Sequence, residues 1–406
     1  MKLEKEIIKQ FDIIKRKTKK IITEEELKQK LIFSLKKRKP LKIKLGIDPT
    51  VKDIHLGFAL VLKKLKDFQM LGHRVILVIG DFTAKIGDPS GRNITRPEIS
   101  DQEIKNNMKS YLNQIFKILD KKGLEIKYNS TWLKKLNLKN IINIFSKITL
   151  QKITERDDFQ ERLKQNNPVF LHEIVYPLLQ AYDSFYLRAD IELGGVDQEL
   201  NCLMGRELQT KFNHQPQVII LMPLLIGLDG KNKMSKSLKN YIGINETPDE
   251  IFGKVMSIPD SLLSQWLELA TDLDKNEIER ILQGHPLEAK KRLGYEIVKL
   301  YHNEKKAKIA LQNFEKTFQK KDYSVLAKDI IVPKEILNLP LIEILSKLNL
   351  VTSKSQAKRL LQQGGIEINY QKILNKNNIN NLIKDLNNGD ILRIGKKNFY
   401  RIIIKE

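Results

Sequence analysis

A chain of 406 residues, 41% hydrophobic and 30% charged, is too apolar to be disordered and long enough for two to four domains. Lys and Arg number 72 against 49 Asp and Glu, a net charge of +23; this points to a polyanionic partner such as nucleic acid, or else to a Lys-, Ile- and Asn-rich composition. The lone cysteine, Cys202, excludes an intrachain disulfide and a cysteine-built zinc site, and no apolar run spans a membrane or forms a signal-peptide core, so a cytoplasmic protein is expected.

Residues 1–39 predict two amphipathic, Lys-rich helices packed on the domain that follows. LKIKLGI (41–47) reads as a short strand and DPTVKDIHLG as a loop. Phe58, Val61, Leu65 and Phe68 then recur at helical spacing up to Gly72. RVILVIGD (74–81) is an apolar run without alternation, as in a strand buried on both faces. Strand, helix, strand in so short a span is a βαβ unit, which implies a parallel sheet with right-handed crossovers. Nucleotides bind such sheets at the carboxyl ends of the strands, where His55 falls.

GDPSGRNITR (87–96) predicts a basic loop carrying Arg92 and Arg96. Residues 100–190 read as mostly helical, an insertion between two halves of the sheet. IELGGVDQELN (191–201) predicts a strand, a turn and a helix, and QVIILMPLLIGLDG (217–230) a last buried strand from which KMSKS (233–237) leaves as a loop. The fold class expected is a Rossmann-like, doubly wound α/β domain over 1–240 with a helical insertion at about 100–190. An all-α domain follows at 245–320, opened by Thr247-Pro248-Asp249-Glu250 as a capping box with Pro at the first helical position. Residues 321–338 are expected to be a linker. The last unit, 339–406, has two helices (340–348 and 353–363), a Gly364-Gly365 turn and short strands in IEIN, DILRI and FYRIII.

Activation of a carboxylate by ATP builds negative charge on phosphoryl oxygens. A helix N-terminus, a positioned imidazole and a pair of ammonium groups on a closing loop all suit that charge. His55 fits the first role, and Lys233 with Lys236 the second. A separate constellation lies in YPLLQAYD, where Tyr176, Gln180 and Asp183 share one helix face within an apolar stretch.

HLGF (55–58) and KMSKS resemble the HIGH and KMSKS signatures of class I aminoacyl-tRNA synthetases. GIDPT, HLG, GDPSG, YPLLQAYD, GGVDQ and KMSKS, in that order, resemble bacterial tyrosyl-tRNA synthetases of the KMSKS-containing branch. The resemblance covers nearly the whole chain, least clearly residues 1–39 and 100–150. It implies formation of tyrosyl-adenylate from tyrosine and ATP, then transfer of tyrosine to the 3′ end of tRNA(Tyr) with release of AMP and diphosphate. It implies ATP contacts from Gly46, Asp48, His55, Gly195, Asp197 and Lys236, with Asp197 on the ribose. It implies a phenol acceptor in Asp183, an α-amino site in Tyr176, Gln180 and Asp88, and Gln198 on the carboxylate side. Arg92 and Arg96 match a mobile loop that stabilises the transition state. The C-terminal unit resembles an S-four-like RNA-binding domain, with Lys354, Lys358 and Arg359 facing phosphates. Relatives are homodimers joined through the inserted helices. Magnesium is expected with ATP, no protein ligand set for a metal is visible, and no permanently bound cofactor is implied.

Two positions depart from the pattern. Phe58 stands where His or Asn usually closes HIGH, and it cannot hydrogen-bond a phosphate. Lys44 stands where some relatives place a tyrosine near the phenol hydroxyl; it either donates to the phenol oxygen or points away. Two rival readings remain at this stage. One is a tryptophan enzyme, which shares the fold but lacks YPLLQAYD. The other is an RNA-binding protein on a synthetase scaffold, a reading fed by Phe58.

Overall fold

Strands without polar alternation can be covered on both faces, and such runs form the middle of the first sheet. The computed structural model describes residues 2–50, 52–89, 99–319, 323–373, 386–395 and 398–405. Its first sheet holds β1 (Lys20–Ile22), β2 (Lys42–Ile47), β3 (Arg74–Ile79), β4 (Leu124–Tyr128), β5 (Ile191–Gly195) and β6 (Val218–Met222), in the order β1-β6-β5-β2-β3-β4. All neighbours are parallel except β1, which runs antiparallel to β6 with Lys20 opposite Leu221. Val75 to Ile79 of β3 and the whole of β6 are buried, as their unbroken apolar character requires.

The chain winds outward from β2 to β3 and β4, then returns to the other side of β2 for β5 and β6. The order reverses between β2 and β5, and a crevice opens there beyond the carboxyl ends of the strands. The helix Leu56–Met70 covers the first crossover and buries Val61, Leu65 and Phe68. Phe58 does not join that core; it is half-buried at the crevice. Gly72, with φ of +80°, ends the segment.

The structure adds to the expected elements in three places. β1 lies between the two N-terminal helices, Lys2–Lys15 and Glu24–Lys37. β4 lies inside the stretch expected to be an insertion, so part of 100–190 extends the sheet. β7 (Lys328–Pro333) occupies the expected linker, parallel to the last strand. Each is short or amphipathic, and only its partner makes it a strand.

The described chain separates into two compact units, residues 1–247 with 254–301, and residues 248–253 with 302–406. This differs from the expected helical domain at 245–320. The helices Leu263–Ala270, Lys275–Gln283 and Pro286–Tyr301 belong with the sheet instead. The indole of fully buried Trp266 donates to the Ile226 carbonyl at 3.0 Å, and Lys17 Nζ donates to the Thr271 carbonyl at 2.6 Å, fixing these helices to it. The second unit orders its sheet β7-β11-β10-β8-β9, with β8 (Ile366–Ile368), β9 (Gln371–Lys372), β10 (Ile391–Ile394) and β11 (Asn398–Lys405). Helices Leu341–Lys347 and Lys354–Gln362 close its core through Leu341, Leu345, Ala357 and Leu361 against Ile366, Ile394 and Ile402.

Candidate active site

The crevice between β2 and β5 is a cavity of about 510 Å³, within the usual range for small-molecule sites. Twelve of the site residues expected from the sequence line it: Gly46, Asp48, His55, Asp88, Tyr176, Gln180, Asp183, Gly195, Asp197, Gln198, Lys233 and Lys236. Arg92 and Arg96 lie outside the described residues. Lys354, Lys358 and Arg359 are exposed on the helix Lys354–Gln362 of the second unit, which buries Ala357 and Leu361, with Lys354 paired to Glu343 at 2.8 Å.

His55 caps the helix Leu56–Met70: its Nδ1 accepts the backbone N–H of Phe58 at 3.3 Å. The ring proton therefore sits on Nε2. Desolvation, then the charges of Lys236 and Lys233, push the imidazole down to about 4, so it is neutral at physiological pH. Two stretches 180 residues apart meet here. Leu56 N–H donates to the Ile242 carbonyl at 3.0 Å and Ile244 N–H to the Ile54 carbonyl at 2.9 Å, joining the start of that helix to the chain just past KMSKS.

The KMSKS loop is built around a side chain that the motif does not contain. Asn240 accepts from Ser235 N–H at 2.8 Å and donates to the Lys233 carbonyl and to Asp229 Oδ2. Asp229 also receives Lys231 N–H, Asn232 N–H and the Asn232 amide, which hold its carboxyl down at about 2. Met234 is buried beneath the loop and donates its N–H to the Leu225 carbonyl at 2.7 Å. Lys233 is paired with Asp197 at 2.6 Å. Lys236 lies 5.5 Å over the Tyr111 ring, its ammonium enclosed without a hydrogen-bond partner among the described residues. Burial lowers it to about 8, against the pull of Asp53.

At the other end Asp183 is only 4% exposed. Burial raises its carboxyl to about 7, opposed by Lys44, by Trp132 Nε1 donating at 2.7 Å and by Asn129 Nδ2 donating at 3.3 Å. Asn129 also donates to Thr83 Oγ1, which donates to Asp48 Oδ1 at 2.8 Å. Tyr176 donates its hydroxyl to Asp48 Oδ2 at 2.9 Å. A continuous polar chain thus joins Asp183 to Asp48 across the cavity. Gly80 makes room for it: a Cβ there would come 1.9 Å from Asp48 Oδ1. Gln198 Nε2 donates to Asp88 at 2.7 Å, and Asn201 donates to Gln198 at 3.0 Å. Gly46 faces open space, where a side chain would enter the cavity.

Lys44 does not reach toward the cavity for a ligand. It is fully buried and paired with Glu192 at 2.9 Å, so of the two alternatives it points away. Thr83, Asn129, Trp132, Glu192 and Asn240 were not legible as site residues. A charged residue inside an otherwise apolar buried strand was the available signal for Glu192; nothing local marks Asn129 or Trp132.

The family model for tRNA synthetases class I (W and Y) matches residues 36–319. The chain belongs to that family. Along its length it is similar to the tyrosine--tRNA ligase of Aquifex aeolicus, 44% identical over 396 residues, covering 97% of this chain and 98% of that one. It is similar also to the tyrosine--tRNA ligase of Carboxydothermus hydrogenoformans, 46% identical over 410 residues, covering 99% of each. In fold it is similar to a C-terminally truncated mitochondrial tyrosyl-tRNA synthetase of Aspergillus nidulans, with a TM-score of 0.63, 20% identity, and coverage of 77% of this chain and 94% of that one. A tyrosyl-tRNA synthetase of Archaeoglobus fulgidus, solved with L-tyrosine, gives a TM-score of 0.59 at 21% identity, covering 75% and 99%.

Proposed function

We propose that this protein ligates tyrosine to tRNA(Tyr). The tyrosine carboxylate attacks the α-phosphorus of ATP and diphosphate leaves. A terminal adenosine hydroxyl of the tRNA then attacks the acyl carbon of the adenylate and AMP leaves. Neither step needs a protein nucleophile; positioning and charge stabilisation supply the acceleration. The observation that carries this reading is one cavity with two unlike ends, a neutral imidazole and a free ammonium at one and a buried carboxylate at the other.

His55 Nε2–H and Lys236 meet the phosphates, and Gly46 and Gly195 let the nucleotide approach the backbone. The Lys233–Asp197 ion pair opens on ATP binding, Asp197 taking the ribose and Lys233 the diphosphate. Arg92 and Arg96 are assigned to the transition state by family resemblance alone. Asp183, braced by Trp132 and Asn129, accepts a hydrogen bond from the phenol hydroxyl; an amino acid without that hydroxyl leaves the buried carboxylate one donor short. Tyr176, Gln180 and Asp88 surround the ammonium, and Gln198 faces the carboxylate. Magnesium is expected to accompany ATP, by family resemblance.

The exposed lysines and arginine of the helix Lys354–Gln362 support binding to the tRNA body, and the helical region expected at 245–320 is assigned to the anticodon by family resemblance alone. Leu138, Ile142, Leu150 and Leu171, each more than half exposed, support a homodimer through the inserted helices. Among the described residues no helix is long and apolar enough to cross a membrane; a cytoplasmic location is part of the proposal. Amino-acid-dependent ATP–diphosphate exchange tests the chemistry. Exchange with tyrosine and none with phenylalanine or tryptophan is expected; exchange driven by tryptophan would overturn the phenol assignment.

A further inference from the structure

Beneath the amino-acid end of the cavity lies a second polar layer with no role in the reaction as described. Lys44 of β2 and Glu192 of β5 stand directly opposite in register, and both are buried. Glu192 accepts four hydrogen bonds. Its Oε1 takes Lys44 Nζ at 2.9 Å and Gln180 Nε2 at 3.1 Å; its Oε2 takes Ser184 Oγ at 2.9 Å and Gln217 Nε2. Lys44 spends its other donors on Ser184 Oγ at 2.7 Å and the Gln180 carbonyl at 3.1 Å.

A carboxylate can only accept, so the edge of the Gln180 amide that faces Glu192 is its NH₂. The amide oxygen is thereby turned to the other edge, on the cavity side, where it has no protein partner among the described residues. A free glutamine could present either edge at little cost, and the wrong edge would aim NH₂ at a cation. Glu192 needs Lys44 in turn, because a carboxylate buried without a countercharge is costly, and the two are paired at 2.9 Å.

We propose that Glu192, paired with Lys44, is a positioning residue that locks the Gln180 amide with its oxygen toward the substrate ammonium, so that the pocket selects an α-amino acid over the same ring and chain without the amine. This rests on the reading that Gln180 faces that ammonium.

The test compares tyrosine with 3-(4-hydroxyphenyl)propionate, which lacks the amine, by calorimetric binding and by competition in diphosphate exchange. The variant is Lys44→Met/Glu192→Met, which removes both charges together. Should it fail to fold, Lys44→Met/Glu192→Gln keeps partners for Ser184 and Gln217 while freeing the amide from an acceptor-only neighbour. Tyrosine affinity is expected to fall about tenfold, the loss of one charge-assisted hydrogen bond. The deaminated analogue should bind as it does to the wild type. An equal loss for both ligands, the mark of a distorted cavity, overturns the proposal, as does no loss for either. Gln180→Ala separates the two layers of the argument. If it leaves the tyrosine-to-analogue ratio unchanged, the reading of Gln180 itself fails; if it collapses the ratio while the charge-pair variants do not, only the role of Glu192 fails.

Discussion

Asp183, His55 and Lys236 owe their charge states to the same cause, desolvation at the walls of one cavity, and it acts on them in opposite senses. It raises the Asp183 carboxyl to about 7, so the ionised acceptor for a phenol is present above that pH and lost as pH falls through it. It lowers Lys236 to about 8, so the ammonium for the phosphates is present below that pH and lost as pH rises through it. His55, at about 4, stays neutral through both windows. The free-enzyme kcat/KM for exchange should therefore be bell-shaped with limbs near 7 and 8. In Asp183→Asn the acidic limb should vanish along with most of the tyrosine activity; an unchanged acidic limb would assign it to another group. Phe58 is the residue-scale anomaly. Its backbone N–H holds His55, but its side chain offers the cavity only carbon. Phe58→His should raise kcat for exchange by roughly 10², the worth of one transition-state donor. A rate that does not move would mean that neighbouring cations already do that work.

The KMSKS loop shows how an element holds a functional group ready. Two lysines on a solvated turn would sample many positions. Here Met234 is buried, Ile226 and Lys233 pair as an isolated antiparallel bridge, and buried Asn240 ties Ser235, the Lys233 carbonyl and Asp229 together. Gly227 is part of the device, since a Cβ there would lie 2.5 Å from the Asn240 carbonyl oxygen. Asn240→Ala should raise KM for ATP and lower kcat/KM about tenfold, as each lost buried hydrogen bond costs about 1–3 kcal/mol of order in the loop. Tyrosine binding, measured without ATP, should be untouched. A proportional loss of tyrosine affinity would show that Asn240 supports the whole cavity rather than the loop.

At the scale of the molecule, several apolar side chains of the inserted helices are left uncovered by the described residues. Leu171 is 80% exposed and Leu138 71%, far more than a lone surface leucine needs to explain, and they recur in the same region. Sedimentation of the purified protein should give a dimer, and Ile142→Asp/Leu171→Asp should give a monomer whose fold, followed by circular dichroism, is retained. A wild-type monomer would move this apolar face to some other partner and overturn the homodimer proposal.

The parallel βαβ frame, the position of His55 at a helix start and the lysines after the last buried strand were all legible in the chain. Apolar run length and helical spacing are local properties, and motifs keep their order whatever surrounds them. The helices Lys275–Gln283 and Pro286–Tyr301 were legible for the same reason, yet their place beside the sheet was not, because it depends on Trp266 meeting the Ile226 carbonyl. β1, β4 and β7 needed their partners, since three to six residues carry too little periodicity to declare a strand. The support of the site was decided by tertiary structure alone. Lys44 and Glu192 are 148 residues apart and become an ion pair only in the β2–β5 register, and Trp132 and Asn129 reach Asp183 only because β4 and the following turn lie beside β3. A hydrogen bond depends on distance and angle, and no local pattern in a sequence encodes the distance between residues so far apart.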